Sequence, residues 1–191
     1  MRYMSALLKF LAVGFLSANV SAQGSTDHVH HAPLPGATLF DAINVDFELL
    51  DSAGQVVADE AFRGKFVLLA FGFTRCETVC PILAYTMGQA LDDTNEDAVG
   101  IFVSVDTERD TPEITHGYAS RFSQRMIGLG GDYERINAVT DNFNVNYAVT
   151  KTRDSYVVQH SSNIFLIGPD GELRDVFPVN VTADALLAAM R

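Results

Sequence analysis

Apolar residues along this 191-residue chain alternate, run on unbroken, or recur every third or fourth position, and each pattern predicts a different element. Val45-Asp46-Phe47-Glu48-Leu49-Leu50 alternates, Asp51-Ser52-Ala53-Gly54 turns, and Gln55-Val56-Val57-Ala58 follows, which predicts a hairpin. The unbroken run Phe66-Val67-Leu68-Leu69-Ala70-Phe71, continuing to Phe73, predicts a strand buried on both faces. From Val79 to about Asp92 the spacing of Ile82, Leu83, Met87 and Leu91 is helical. A second buried strand is predicted at Val99–Val105. Asp110-Thr111-Pro112-Glu113 places cap residues before a first-turn proline and an acid, predicting a helix that ends near Phe122. A third helix is predicted from Asp132 to Asn142, with short strands at Val145–Val149 and Tyr156–Val158. Asn163–Ile167, the turn Gly168-Pro169-Asp170-Gly171 and Glu172–Phe177 read as a second hairpin, and Thr182-Ala183-Asp184 opens a final helix.

Strands alternate with helices first, and an antiparallel pair plus a helix closes the chain. That order predicts a thioredoxin-like α/β domain: a mixed central sheet flanked by helices, with an N-terminal hairpin and a central insertion. Functional groups are expected at the carboxyl edge of a central strand.

The domain is expected to span 38–191. Residues 1–22 have the make-up of a secretory signal peptide: Arg2 and Lys9, an apolar stretch from Phe10 to Leu16, and Val20-Ser21-Ala22 as a cleavage site. That stretch is short for a membrane span and Lys9 interrupts it, so cleavage is favoured over an uncleaved anchor. The expected mature protein is exported and soluble, without a stable membrane span. Residues 23–37 are turn-rich and read as a flexible leader; His28, His30 and His31 within it are incidental or form a weak metal-capture site. The net charge of −11 becomes more negative by two once Arg2 and Lys9 are removed. Such a chain is a poor ligand for nucleic-acid phosphates and a better one for cations or a basic protein face. Nothing in the sequence demands more than a monomer.

Cys76 and Cys80, in Gly72-Phe73-Thr74-Arg75-Cys76-Glu77-Thr78-Val79-Cys80-Pro81, are the chain's two cysteines. They sit where a buried strand passes into a helix. Backbone N–H groups and the positive helix end there favour thiolate, whereas Glu77 should oppose it. Thiolates exchange disulfides and also bind soft metal ions. The pair therefore handles electrons, metal or both; a purely structural disulfide closes too short a loop to stabilise much, about 2 kcal/mol. Cysteines at i and i+4 on one helix face would converge on one ion.

Three segments in matching order give the chain its resemblance to the Sco/SenC family. They are Gly72–Cys76 with Cys80-Pro81; Ser104-Val105-Asp106-Thr107-Glu108-Arg109-Asp110-Thr111-Pro112-Glu113; and His160-Ser161 followed by Phe165–Gly171. The likeness spans roughly Phe47 to Val176. It implies a thioredoxin fold and a role in copper delivery during cytochrome c oxidase assembly, with copper held by two cysteines and a distal histidine. On this chain those positions are Cys76, Cys80 and His160. The implied partners are the copper-acceptor subunit of a respiratory oxidase or another copper chaperone, and the implied compartment is the periplasm. Two positions depart from the pattern: Glu77, where proline is usual, and Gln159, where an acid is usual. A rival assignment is a thiol-disulfide oxidoreductase that reduces the acceptor's cysteines, with Cys76 attacking and Cys80 resolving; a thiol peroxidase is a weaker third.

The remaining candidates have plainer expectations. Asp110 or Thr111 is a helix cap, and Arg109 pairs locally or faces an acidic neighbour. The Asp106–Asp110 loop could support the site or dock a partner. His116 is expected at the surface. Phe71, Phe73, Phe165 and Leu166 are expected in the core, and Met87 and Met126 as packing residues.

Overall fold

A computed structural model describes residues 43–151, 153 and 156–191. The expected signal peptide, the leader and its His28, His30 and His31 lie outside the described residues. The chain forms β1 (Glu48–Leu50), β2 (Val56–Ala58), a 3₁₀ turn (Asp59–Phe62), β3 (Phe66–Gly72), α1 (Val79–Asp93) and β4 (Ala98–Ser104). It continues through α2 (Pro112–Ala119), β5 (Met126–Leu129), α3 (Tyr133–Asn142), β6 (Tyr147–Lys151) and β7 (Tyr156–His160). It ends with β8 (Asn163–Ile167), β9 (Leu173–Pro178) and α4 (Ala183–Ala189). No described helix is long and apolar enough to cross a membrane.

The main sheet has the order β5-β4-β3-β8-β9. β3 runs parallel to β4 and antiparallel to β8, and β4 runs parallel to β5. This is the thioredoxin-like mixed sheet. Because side chains alternate across a strand, β3 sends Leu68 and Ala70 to one face and Val67, Leu69 and Phe71 to the other. The first face packs against Leu83, Met87 and Leu91 of α1 and Leu186 of α4. The second packs against Ile136 and Val139 of α3. Phe71, Phe143 and Phe165 meet edge-on there, with centroids 5.1–6.0 Å apart. Met87 and Met126 are core residues, as expected.

β5 is an element that periodicity does not reveal. It is only four residues long and contains Gly128, against which the backbone of α2 packs so closely that a Cβ would lie 2.2 Å from Thr115. α2 stops at Ala119, short of Phe122. β6 starts two residues later than predicted, and β7 continues through Gln159 and His160. These two strands pair only with each other, as a ribbon outside the main sheet. The ribbon's Val158 packs on the α3 side of the sheet, opposite to α1.

Candidate metal centre

β3 ends at Gly72, and the chain turns through Phe73–Thr78 before α1 begins at Val79. The Cys76 N–H closes that turn on the Phe73 carbonyl at 3.2 Å. Thr78 occupies the cap position of α1 but its side chain makes no cap bond. The Cys76 sulfur takes that role, accepting the Cys80 N–H at 3.4 Å, and Pro81 has no N–H to satisfy. The cysteines thus do not share a helix face, as their spacing alone suggests: Cys76 lies in the turn and folds back over the first turn of the helix. Gly72 makes room for this arrangement, since a Cβ there would sit 3.0 Å from the Cys80 sulfur and 2.5 Å from the Phe102 ring.

His160 arrives from the other side, at the end of β7. Its Nε2 lies 3.6 Å from the Cys80 sulfur, and its Nδ1 lies 2.9 Å from the Ser161 carbonyl oxygen. A carbonyl oxygen only accepts, so Nδ1 carries the proton and the Nε2 lone pair faces the sulfur. The carbonyl of Ser161, rather than residue 159, orients the ring. Burial holds the His160 pKa below its ordinary value against the opposing pull of that carbonyl, so the ring is neutral near pH 7. The Phe73 ring stands edge-on to the imidazole, with centroids 5.9 Å apart. Phe73 is therefore half-buried wall of the site as well as core. The site opens to solvent as a cleft of about 450 Å³ lined by Phe73, Cys76, Glu77, Val158, Gln159 and His160.

The two thiols differ sharply. Burial opposes the Cys76 thiolate, but hydrogen bonds from the Cys80 N–H, the Cys80 thiol and the N–H groups of Thr78 and Val79 outweigh it, and its pKa is lowered. Cys80 is buried, and burial first, then its hydrogen bond to Cys76, pushes its thiol up to about 12. The helix end therefore favours thiolate at Cys76 alone. Glu77 is exposed to solvent and is not among the main causes of either shift, so the opposition expected from it does not decide the thiol pKa values. The structure shows the pair in its dithiol form, without a bond between the sulfurs.

A first-row ion bonded to sulfur at about 2.3 Å and to imidazole nitrogen at about 2.0 Å, at a trigonal or tetrahedral angle, needs those donors roughly 3.6 Å apart. Cys80 and His160 meet that spacing. Among the described residues no three His, Cys, Asp or Glu side chains are already gathered into a closed metal shell. Cys76, whose sulfur accepts the Cys80 N–H at the wall of the cleft, would supply the third donor. Two soft sulfurs and a neutral imidazole suit copper.

The supporting residues were less visible from sequence. Thr111 is the α2 cap, accepting the Ile114 N–H at 3.2 Å. Asp110 instead accepts from the Thr74 N–H at 2.7 Å, the Thr74 hydroxyl at 2.6 Å and the Ser104 hydroxyl at 2.6 Å. It thereby pins the turn that carries Cys76. Arg109 pairs with Asp106 through its Nε and a terminal nitrogen, both at 2.5 Å. His116 is half-buried, not a free surface residue; its Nδ1 accepts the Gly128 N–H at 3.4 Å.

The SCO1/SenC family model matches residues 36–191. Protein sco1 of Schizosaccharomyces pombe is 37% identical over 153 residues, covering 75% of this chain and 58% of that protein. The chain spans about half the length of the first curated relatives that it matches. The structure of Arabidopsis thaliana ScoI with copper bound superposes with a TM-score of 0.72 at 34% identity, covering 77% of this chain and 94% of that one. Bradyrhizobium japonicum ScoI with copper bound gives 0.69 at 33%, covering 78% and 98%. With the family's motifs in order, its fold reproduced and a cysteine–histidine cleft at the sheet edge, this chain belongs to the SCO1/SenC family.

Proposed function

We propose that this protein is an exported copper chaperone that holds one copper ion on Cys76, Cys80 and His160. It passes the ion to the copper site of a respiratory cytochrome c oxidase, in the periplasm. The observation that carries this reading is the approach of the neutral His160 Nε2 to the Cys80 sulfur, with the Cys76 sulfur beside it at the mouth of an open cleft. The copper-bound plant and bacterial relatives support the choice of ion. The signal-like N-terminus supports export. Transfer follows from exposure: an incoming acceptor thiolate meets Cys76 first and replaces the ligands one at a time.

A competitive Cu(I) titration of the reduced protein tests this. Tight one-to-one binding that weakens by orders of magnitude in His160→Ala and in Cys76→Ser is the expected result. Binding by His160→Ala equal to that of the parent would remove the three-ligand site.

A second reading rests on the unequal thiols. An accessible Cys76 with a lowered pKa beside a buried Cys80 is the layout of an attacking and a resolving cysteine. The Cys76 thiolate would attack an acceptor disulfide and release one acceptor thiol. Cys80 would then lose its proton and displace the second, leaving a Cys76–Cys80 disulfide and a reduced acceptor. This exchange needs both cysteines and not His160, so reduction of a model disulfide by His160→Ala at the parental rate, together with loss of copper affinity, separates the two activities.

A further inference from the structure

His160 is carried by a ribbon that belongs to neither the main sheet nor a helix, so something must set its orientation. At the His160 end, the Ser161 N–H reaches the Asn146 carbonyl at 2.9 Å and the Tyr147 hydroxyl bonds Asn137 of α3. Those contacts fix where the ribbon starts. Val158 seats the middle of the ribbon on the α3 layer, and the far end carries the remaining polar ties.

Tyr156, Val158 and His160 alternate with the exposed Val157 and Gln159, so all three occupy one face of β7, the face turned toward the body of the domain. Tyr156 lies about 13 Å along the strand from His160. Its hydroxyl donates to Oδ1 of Asp106, a carboxylate only 1% exposed. Oδ2 of the same carboxylate is taken by Arg109, whose guanidinium lies 3.9 Å over the Tyr156 ring. The phenol is thus gripped by both charges of an ion pair whose carboxylate is buried and whose guanidinium is partly exposed. The other tie at this end, Lys151 to Glu108 at 3.8 Å, is exposed on both sides and holds little.

The grip also leads back to the cysteines. Ser104 Oγ accepts the Asp106 N–H at 3.2 Å and donates to Asp110, and Asp110 holds both polar groups of Thr74, two residues before Cys76. One loop of β4–α2 therefore bonds the histidine ribbon at one end and the cysteine turn at the other. Residues that are far apart in sequence, Thr74 and Tyr156, are joined through a short chain of buried hydrogen bonds.

We infer that Tyr156 is a positioning residue for His160: its bond to Asp106 sets the roll of the ribbon, and the Ser104–Asp110 loop references that roll to the cysteine turn. The inference rests on the copper-site reading for its purpose, but the brace itself exists in the metal-free protein. Tyr156→Phe removes the hydroxyl and leaves the Asp106–Arg109 pair intact.

The test has two arms. In the metal-free protein, the His160 Cε1–H NMR resonance should shift or broaden in Tyr156→Phe, with a melting temperature within a few degrees of the parent, and again in Asp106→Asn, which also breaks the pair with Arg109 and melts lower. An unmoved resonance in both overturns the brace, whatever the protein binds. In the copper arm, Tyr156→Phe should weaken Cu(I) binding roughly tenfold or more. The same substitution in a His160→Ala background should cost nothing further, because its effect runs through the imidazole. An equal loss in both backgrounds overturns the positioning role. A parent whose copper affinity ignores His160 would instead sink the three-ligand site, and the brace would stand or fall on the resonance alone.

Discussion

The sulfur of Cys76 and the sulfur of Cys80 are four residues apart and chemically unlike. Iodoacetamide at pH 7.5 should label Cys76 first, with Cys80 protected by its retained proton and its burial; peptide mass mapping over a time course shows the order, and equal rates would contradict the hydrogen-bond pattern. The same asymmetry governs metal affinity. A coordinated sulfur is a thiolate, so copper must expel the proton that Cys80 keeps up to about 12. Below that value protons compete with the ion, so apparent Cu(I) affinity should climb about tenfold per pH unit for this one proton between pH 6.5 and 8. Burial lowers the His160 pKa, so protons compete for its ring less than for a free imidazole. A flat profile would show that Cys80 does not bind as thiolate.

Most elements were legible because each shows a clear local signal: the buried strands as unbroken apolar runs, α1 as a 3.6-residue stripe, α2 from its cap residues and first-turn proline. Asp132 accepts the Arg135 N–H at the start of α3. β5 escaped because Met126-Ile127-Gly128-Leu129 is too short to establish a period, and its glycine looks like a breaker until α2 is laid against it. The three site residues were placed through motif resemblance; their spacing alone suggested a shared helix face that the turn at Phe73–Thr78 does not form. Asp106 was legible as a loop charge and Asp110 as a loop charge or helix cap, and neither reading finds their partners Tyr156 and Thr74, 50 and 36 residues away. No local pattern encodes a contact of that range. At the strand end, Gly72 is the element's tightest constraint. Gly72→Ala should destabilise the fold by about 1–3 kcal/mol, because the buried Phe102 ring cannot yield cheaply. Urea denaturation measures this, and an unchanged midpoint would mean that the ring and the Cys80 thiol relax freely.

Across the whole molecule, the sheet separates two hydrophobic layers, one built on α1 and α4 and the other on α3. Cys80 belongs to the first layer, whereas the ribbon that carries His160 packs through Val158 on the second. Copper binding to the native protein should raise its stability by about 4 kcal/mol at a free concentration a thousandfold above the dissociation constant. Hydrogen exchange should show where that gain falls. Beyond the slowing shared by all amides that exchange through global unfolding, extra slowing is expected in β6, β7 and the Phe73–Thr78 turn; its absence there would mean that the metal does not tie these segments together.

An ion shared by Cys80 and His160 would be a removable rivet across the rim of the sheet, fastening one layer to the other. Loading and unloading would then alter the stiffness of a surface that extends past the cleft. A protein resting against both the ribbon and the cysteine turn would meet a full carrier and an empty one as different surfaces, before any ligand changed hands.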